Sequence, residues 1–347
     1  MDFSIKKPTI RDIALQADVS IATVSRVLNS NGSVKPELEK RIRQAIKDLD
    51  YIPNDVAKNL KTRSGRFISF IMSDISNNYF TAMADTIQKI TSQKGYTLII
   101  FNSDGDHTRE KTFLDFSVSN NAAGIVINTT GENDSLIARI SHTIPVLAIS
   151  RKITHHEYGG DFIDSDNYSG AYKLAEHLLA NGHSKIAIIN GNQELSTGVE
   201  RFNGFMACLQ VHDISLSDTF VYRGDFTQKS GYLAVESFLS LEEQPSAICA
   251  MNNSMAIGAI ECLITHHIKV PEQVSLASYG DINNLPLLSI QPSYVSLNPI
   301  VIGQKSAELL LQRITERRTS NKEIIFDPAL FVCSGVGVYA TGVLGSK

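Results

Sequence analysis

The stretch DIALQADVSIATVSRVLN, Asp12 to Asn29, decides how the front of this 347-residue chain is read. It reads as two short amphipathic helices pinched around Ala17-Asp18-Val19. In the second helix Val24, Val27 and Leu28 fall on one side, and Ala22, Ser25, Arg26 and Asn29 on the other. Working outward, Thr9 can cap the first helix, from about Ile10 to Ala17, and Asp12 lies in its first turn, where the dipole favours a carboxylate. Ser20 can cap the second helix, and Asn29-Ser30-Asn31-Gly32 breaks it. A third helix is expected from Pro36 to Leu49, with Leu38, Ile42, Ala45, Ile46 and Leu49 as its apolar stripe and Pro36 in its first turn. Residues 1–52 thus read as a small all-α head. YIPNDVAKNLKTRSGRF then reads as a linker with a short helical option, 53–66.

Charge separates this head from the rest. Residues 1–66 carry 13 Lys and Arg against 8 Asp and Glu, whereas the remaining residues carry 19 against 28. A basic head on an acidic body points to a polyanion met by the head alone. A helix-turn-helix lays the outer face of its second helix in the major groove of DNA. That face must be slim and polar. Arg26 can fork onto guanine and Ala22 can meet a thymine methyl. Ser20, Thr23, Ser25 and Asn29 can bond phosphates and fix register.

Beyond residue 66, apolar runs alternate with amphipathic stretches. Strands are expected at 67–74, 96–104, 122–129, 145–150, 185–192, 246–252, 275–281 and 293–298. Helices are expected between them, at Tyr79–Lys94, Asn167–Asn181, Thr197–Val211, Gln228–Leu241, Met255–His266 and Ile302–Arg317. Apolar strands with crossover helices mean parallel sheets covered on both faces. The number of units exceeds one comfortable sheet, so the fold expected is α/β with two doubly wound lobes and a cleft between them. Ligands in such folds sit beyond the C-terminal ends of the strands. Here those ends run into polar clusters such as Ser73-Asp74, Asn102-Ser103-Asp104, Ser150-Arg151, Asn190-Gly191-Asn192 and Asn252-Asn253.

Other classes lack their signatures. No phosphate-binding G-x-x-x-x-G-K-[ST] and no G-x-S-x-G elbow occurs, and Gly335-Val336-Gly337 has no following helix. His155-His156 and His266-His267 are adjacent pairs whose side chains diverge, so no metal is expected. Cys208, Cys249, Cys262 and Cys333 are scattered and read as reduced thiols. No run reaches membrane-spanning length and MDFSIKKPTIRD lacks a signal-peptide core. A cytoplasmic, non-enzymatic protein without cofactor is expected.

TIRDIALQADVSIATVSRVLN, followed by VKPELEKRIRQAIKDLDYIPNDVAKNLKTRSG, resembles the DNA-binding head and hinge of the LacI/GalR repressor family. YFTAMADTIQKITSQKGYTLII, ERFNGF, GDFTQKSGY, NNSMAIGAIE and KVPEQVSLASYGD resemble its effector domain, which is similar to periplasmic sugar-binding proteins. The resemblance covers nearly the whole chain. It implies that Thr9 and the second helix meet operator DNA, with Ile21, Ala22 and Arg26 at base-reading positions. It also implies that Asn54, Ala57, Leu60 and Lys61 form a hinge helix whose leucine wedges into the minor groove. In the body it implies effector contacts from Asn77, Tyr79, Phe80, Arg151, Arg201, Phe226, Asn252 and Asn253. The effector and dimerisation domain would occupy 67–340, with lobes of roughly 67–165 plus 296–326 and 166–295 plus 327–340.

Three family positions depart from the pattern. Gly280 stands where an aspartate usually bonds the ligand, and Asp281 is a candidate to take over. Ser150 and Asn253 also replace aspartates. Three missing carboxylates beside retained arginines point to an anionic sugar derivative as effector, against a neutral sugar held by amides. The tail after Pro328 has no leucine heptad, so a homodimer is expected and not a helical tetramer. The resemblance implies a repressor of carbohydrate utilisation controlled by a small sugar-like effector. The alternatives are control by a protein partner or corepressor, and a plain sugar-binding receptor.

Overall fold

The computed structural model describes residues 8–29, 34–51, 65–316 and 320–339. The chain divides into two compact units, Met1–Ser64 and Gly65–Lys347.

In the first unit, α1 (Ile10–Gln16), α2 (Ile21–Asn29) and α3 (Pro36–Asp48) enclose a small core of Ile13, Ala14, Ala17, Val24, Ile42 and Ala45. The backbone N–H and hydroxyl of Thr9 both donate to Asp12, each at 2.7 Å, fastening the start of α1. Ser20 caps α2 by accepting from the Thr23 N–H at 3.1 Å. The turn between them runs through Asp18 at φ +49°, a left-handed conformation that aspartate tolerates better than most residues. Arg41 of α3 holds that turn, donating to the Ala17 carbonyl at 2.5 Å and to the Asp18 carboxylate at 3.3 Å.

The second unit holds two six-stranded sheets. In chain order, lobe 1 contributes β1 (Phe67–Met72), α4 (Asn78–Ser92), β2 (Thr97–Asn102), α5 (His107–Ser119), β3 (Gly124–Ile127), α6 (Asp134–Ser141), β4 (Val146–Ile149) and β5 (Asp161–Ser165). Lobe 2 follows with α7 (Asn167–Ala180), β6 (Ile186–Asn190), α8 (Ser196–Val211), β7 (Val221–Arg223), α9 (Gln228–Leu239), β8 (Ala247–Ala250), α10 (Asn253–Thr265), β9 (Ser275–Tyr279) and β10 (Ser293–Ser296). The chain then returns to lobe 1 for α11 (Pro299–Glu316) and β11 (Glu323–Phe326), and ends in lobe 2 with β12 (Ala329–Phe331).

The first sheet, β11-β5-β4-β3-β1-β2, is parallel throughout. The second, β12-β10-β9-β8-β6-β7, is parallel except for the edge strand β12. Alternation along β1 shows why both faces need cover. Ile68, Phe70 and Met72 enter one core with Met83 and Ile87 of α4 and Ile302 and Leu310 of α11, whereas Ile71 enters another with Leu114 of α5 and Ile137 of α6.

Four of these strands are not among those expected from sequence. β7, β11 and β12 are three- or four-residue edge strands, too short for a periodic signal. β5 was hidden by composition. Its sequence DFIDS carries two carboxylates, yet all five residues are buried. Asp161 is tolerated because Arg313 of α11 bonds it at 2.9 Å, a buried ion pair that ties α11 to the sheet.

The three crossings between lobes lie at residues 165–167, 296–299 and 326–329, and the first and third are bonded side by side. The Asp166 N–H donates to the Phe326 carbonyl at 2.8 Å, and Lys173 pairs with Asp327 at 2.5 Å.

Candidate functional site

In each sheet the strand order reverses beside the first strand of the lobe: β1 lies between β2 and β3, and β6 between β7 and β8. At such a reversal the following helices depart to opposite faces and leave a crevice beyond the strand ends. The residues after β1, β3, β4, β7 and β8 converge there. They enclose a cavity of about 80 Å³ whose lining includes Ser73, Asn77, Asn128, Ser150, Arg151, Phe226 and Asn252. An outer vestibule of about 450 Å³ shares Asn77, Arg151, Phe226 and Asn253 with it.

Tyr79, Phe80, Arg201 and Asn253 also line the cavity, so eight of the nine effector positions named from sequence come together. Asp281 does not. Its carboxylate accepts from the Ser296 hydroxyl at 2.6 Å and from the Leu297 N–H at 2.9 Å, fastening the second crossing. The expectation that it replaces a ligand-binding aspartate is therefore corrected. At Gly280 the backbone sits at φ +99°, where L side chains rarely go.

The two arginines differ in how they are held. The Arg201 Nε donates to Asn167 Oδ1 at 2.8 Å and its Nη1 to the Met251 carbonyl at 2.7 Å. Its guanidinium lies 4.0 Å from the centre of the Tyr279 ring. Arg151 makes one such bond, Nη1 to the Thr129 carbonyl at 2.9 Å. Burial pulls its pKa down to about 10, with Glu110 opposing and Arg201 adding to the fall, so it stays charged at neutral pH. Both guanidiniums lie about 6 Å from the Phe226 ring, at 5.9 and 6.0 Å. Among the described residues neither has a carboxylate within ion-pair distance.

Phe226 is held where few residues would sit, at φ +71°. The Asn252 amide donates to its carbonyl at 2.9 Å, while Asn252 Oδ1 caps α10 by accepting from the Met255 N–H at 2.8 Å. Gly191 makes room for the ring, since a Cβ there would lie 2.0 Å from it. On the opposite wall Tyr79 and Ser150 join their hydroxyls at 2.9 Å. Burial raises the Tyr79 pKa well above its ordinary value, so the phenol stays protonated.

Hydrogen bonds cross the gap between lobes at two places. Asn77 and Asn253 exchange amide hydrogen bonds at 2.9 and 3.0 Å, and the Lys152 N–H donates to the Ser196 hydroxyl at 3.0 Å. Asn253, expected as an effector contact, is thus also half of a bridge that holds the lobes together.

Several lining residues were not singled out as contacts from sequence: Ser73, Asp74, Asn128, Ser150, Thr197, Tyr279 and Leu297. Ser73-Asp74 and Ser150 stood in polar clusters after strands, the signal available for them. Asp164 was missed entirely. It is buried on β5, and burial pushes its carboxyl up to about 8, against the opposing pull of Arg201.

In the head, Ile21, Ala22 and Arg26 form the exposed face of α2, whereas Val24 is buried. Thr9 and Ser20 are exposed at the helix starts, Thr23 and Ser25 are half-buried, and Asn29 ends α2. Asn54, Ala57, Leu60 and Lys61 lie outside the described residues.

These features are shared with known proteins. Residues 9–54 match the family model for bacterial regulatory proteins of the lacI family, and residues 66–332 match that for periplasmic binding proteins and the sugar-binding domain of the LacI family. The HTH-type transcriptional repressor PurR of Klebsiella pneumoniae (strain 342) is 30% identical over 327 residues, covering 93% of this chain and 95% of that one. The chain belongs to the LacI family. This LacI-family protein is a DNA-binding transcriptional repressor. Its fold matches that of the lac repressor dimer bound to operator and the anti-inducer ONPF, with a TM-score of 0.78 at 22% identity over 96% of this chain and all of that one. A complex of the transcriptional regulator CelR with cellobiose matches with a TM-score of 0.71 at 24% identity, over 94% of this chain and 99% of that one. Among the described residues no helix is long and apolar enough to cross a membrane, and no cluster of ligating side chains could hold a metal.

Proposed function

We propose that this repressor is controlled by an anionic sugar derivative, a sugar acid or sugar phosphate, bound in the interlobe cleft. The observation that carries this reading is the pair Arg151 and Arg201, both lining one cavity and both without an ion-pair partner among the described residues. A charged ligand group would supply the missing counter-charge, and a planar guanidinium suits a carboxylate or phosphate. Asn77, Asn128, Ser150 and Thr197 supply donors and acceptors for hydroxyls, and Phe226 supplies an apolar face for a ring. The cellobiose-bound relative supports a carbohydrate, and through it a role in carbohydrate utilisation. The PurR relative and the aromatic residues Tyr79, Phe80, Phe226 and Tyr279 favour a second reading, a purine base as effector.

The exposed face of α2 would read the operator through Ile21, Ala22 and Arg26, with Thr9, Ser20, Thr23, Ser25 and Asn29 on phosphates. Two heads would meet a two-fold site, which requires a homodimer in the cytoplasm. Exposed apolar side chains support self-association: Ile100, Phe116 and Val118 on lobe 1, and Leu233, Ile257 and Ile264 on lobe 2. Asn54, Ala57, Leu60 and Lys61 would contact the minor groove of the same site. A ligand that favours one degree of lobe closure would shift the repressor between DNA-binding states.

The test is calorimetry with gluconate, sugar phosphates, neutral sugars and purine bases, followed by DNA anisotropy at fixed salt with whichever ligand binds. Binding of anionic sugars alone supports the reading. Binding of neutral sugars alone, or of purine bases alone, overturns it.

A further inference from the structure

Asp164 lies at the first crossing between lobes, only 3% exposed, one residue, Asn167, removed from the cavity residue Arg201. Its oxygens accept from the Ser165 N–H at 2.8 Å and from Asn167 Nδ2 at 2.6 Å. Asn167 turns its own oxygen to Arg201 Nε at 2.8 Å, so a single amide separates the carboxyl from the guanidinium. No cation contacts Asp164 directly among the described residues.

The groups facing it from each neighbouring element are few. From α8 come Arg201, which favours ionisation, and Glu200, which opposes it and shares the Asn167 amide at 3.2 Å. Tyr79 of α4 and Tyr279 of β9 face it as protonated phenols. Asp166, two residues on, faces Tyr279, and the register partner on β11 is the neutral Ile325. Among the described residues Arg201 is thus the cation that acts on Asp164, and with Arg151 it also lines the cavity.

We infer that Asp164 senses the charge of the effector: when protonated it leaves the Arg201 charge to an anion in the cleft, and when ionised it cancels that charge, so the anion enters together with a proton from solvent. This rests on the anionic reading above. The Arg201 bonds to Asn167 and Met251 hold its orientation in either state, so the proton changes the field in the cleft and not the position of the guanidinium. A carboxyl poised near pH 8 makes the exchange accessible under ordinary conditions.

The experiment uses the full-length protein and gluconate, whose carboxylate stays ionised throughout the range. Calorimetry at pH 7 and pH 9, in buffers of different ionisation heat, reads both affinity and proton uptake. Affinity is expected to fall about tenfold from pH 7 to pH 9, with most of one proton taken up per gluconate at the higher pH. Asp164→Asn is expected to bind gluconate with less than about a twofold change and no uptake. The wild-type proton count stands as a test even if that variant folds poorly. Gluconate bound equally at both pH values without proton uptake overturns the inference and leaves the anionic reading standing. No gluconate bound at either pH, with neutral sugars or purine bases bound instead, overturns the anionic reading and this inference with it.

Discussion

On the lobe-2 wall of the cleft, Arg201 is tied by two hydrogen bonds and a ring, Asn252 uses both ends of its amide, and Phe226 is locked at φ +71° by that amide. On the lobe-1 wall, Arg151 hangs from one carbonyl, and the Asn77 amide reaches across to the other lobe. One wall is built before a ligand arrives. The other is tied internally by the Tyr79–Ser150 and Ser73–Asn128 bonds, but its Arg151 has a single anchor and its Asn77 amide points at the other lobe. Preorganised groups lose less entropy on binding, so affinity should rest on lobe 2 and the closing response on lobe 1.

The sharpest way to break this comparison is Arg201→Met. It is expected to lower anionic effector affinity at least about a hundredfold, close to 3 kcal/mol, because a charged donor is lost from a buried site. Calorimetry reads it, and a loss smaller than that of Arg151→Met would reverse the roles of the two walls.

Next in size is a pH effect on stability. The Asp164 carboxyl is raised above its unfolded value, so the folded state holds its proton more tightly. Its contribution is full below about pH 4 and is lost as pH rises toward about 8. The difference between wild type and Asp164→Asn in urea unfolding is expected to change by on the order of 3 kcal/mol between pH 5 and pH 8. A difference that stays flat means the carboxyl is ionised throughout.

Gly191→Ala sharpens the comparison from the other side. The new Cβ meets the Phe226 ring at 2.0 Å and must displace it. Effector affinity should fall about tenfold, roughly 1.4 kcal/mol, while DNA binding by the effector-free protein is unchanged. The smallest effect belongs to the bridge. Asn77→Ala and Asn253→Ala should each weaken ligand-linked closure by about 1 kcal/mol, and the double variant should be little worse than either, since they remove the same exchanged pair. Additive losses would mean that the two amides act separately.

How far the molecule was legible from sequence depends on what surrounds each residue. The head was readable because capping by Thr9 and Ser20 and the alternation around Val24 are local. Arg41, which clasps the turn from 23 residues away, left no local trace. The lobes were readable because parallel strands buried on both faces are unbroken apolar runs. β5 escaped because Asp161 and Asp164 look like loop residues until Arg313 and Asn167, distant in the chain or across a crossing, satisfy them. In the cleft, strand ends followed by polar clusters marked the crevice at Arg151 and Asn252, whereas Tyr79, Phe80, Arg201 and Phe226 were named only by the family resemblance. Asp281 misled because adjacency to Gly280 suggested a substitute ligand, whereas its backbone setting turns the carboxylate to Ser296 and Leu297.

The threefold crossing of the chain also sets an order of assembly. A ribosome delivers the chain from its N-terminal end, and segments fold as they become complete. β6 to β10 form one continuous stretch, so most of lobe 2 is available once residue 296 is made. Lobe 1 begins more than a hundred residues earlier, yet it still lacks α11, whose Ile302 and Leu310 fill its core, and the edge strand β11. The first lobe to be synthesised therefore waits longest for its core to close, lobe 2 still lacking only its edge strand β12 at that stage, and a premature stop near residue 300 would leave one lobe nearly whole and the other with an uncovered apolar face.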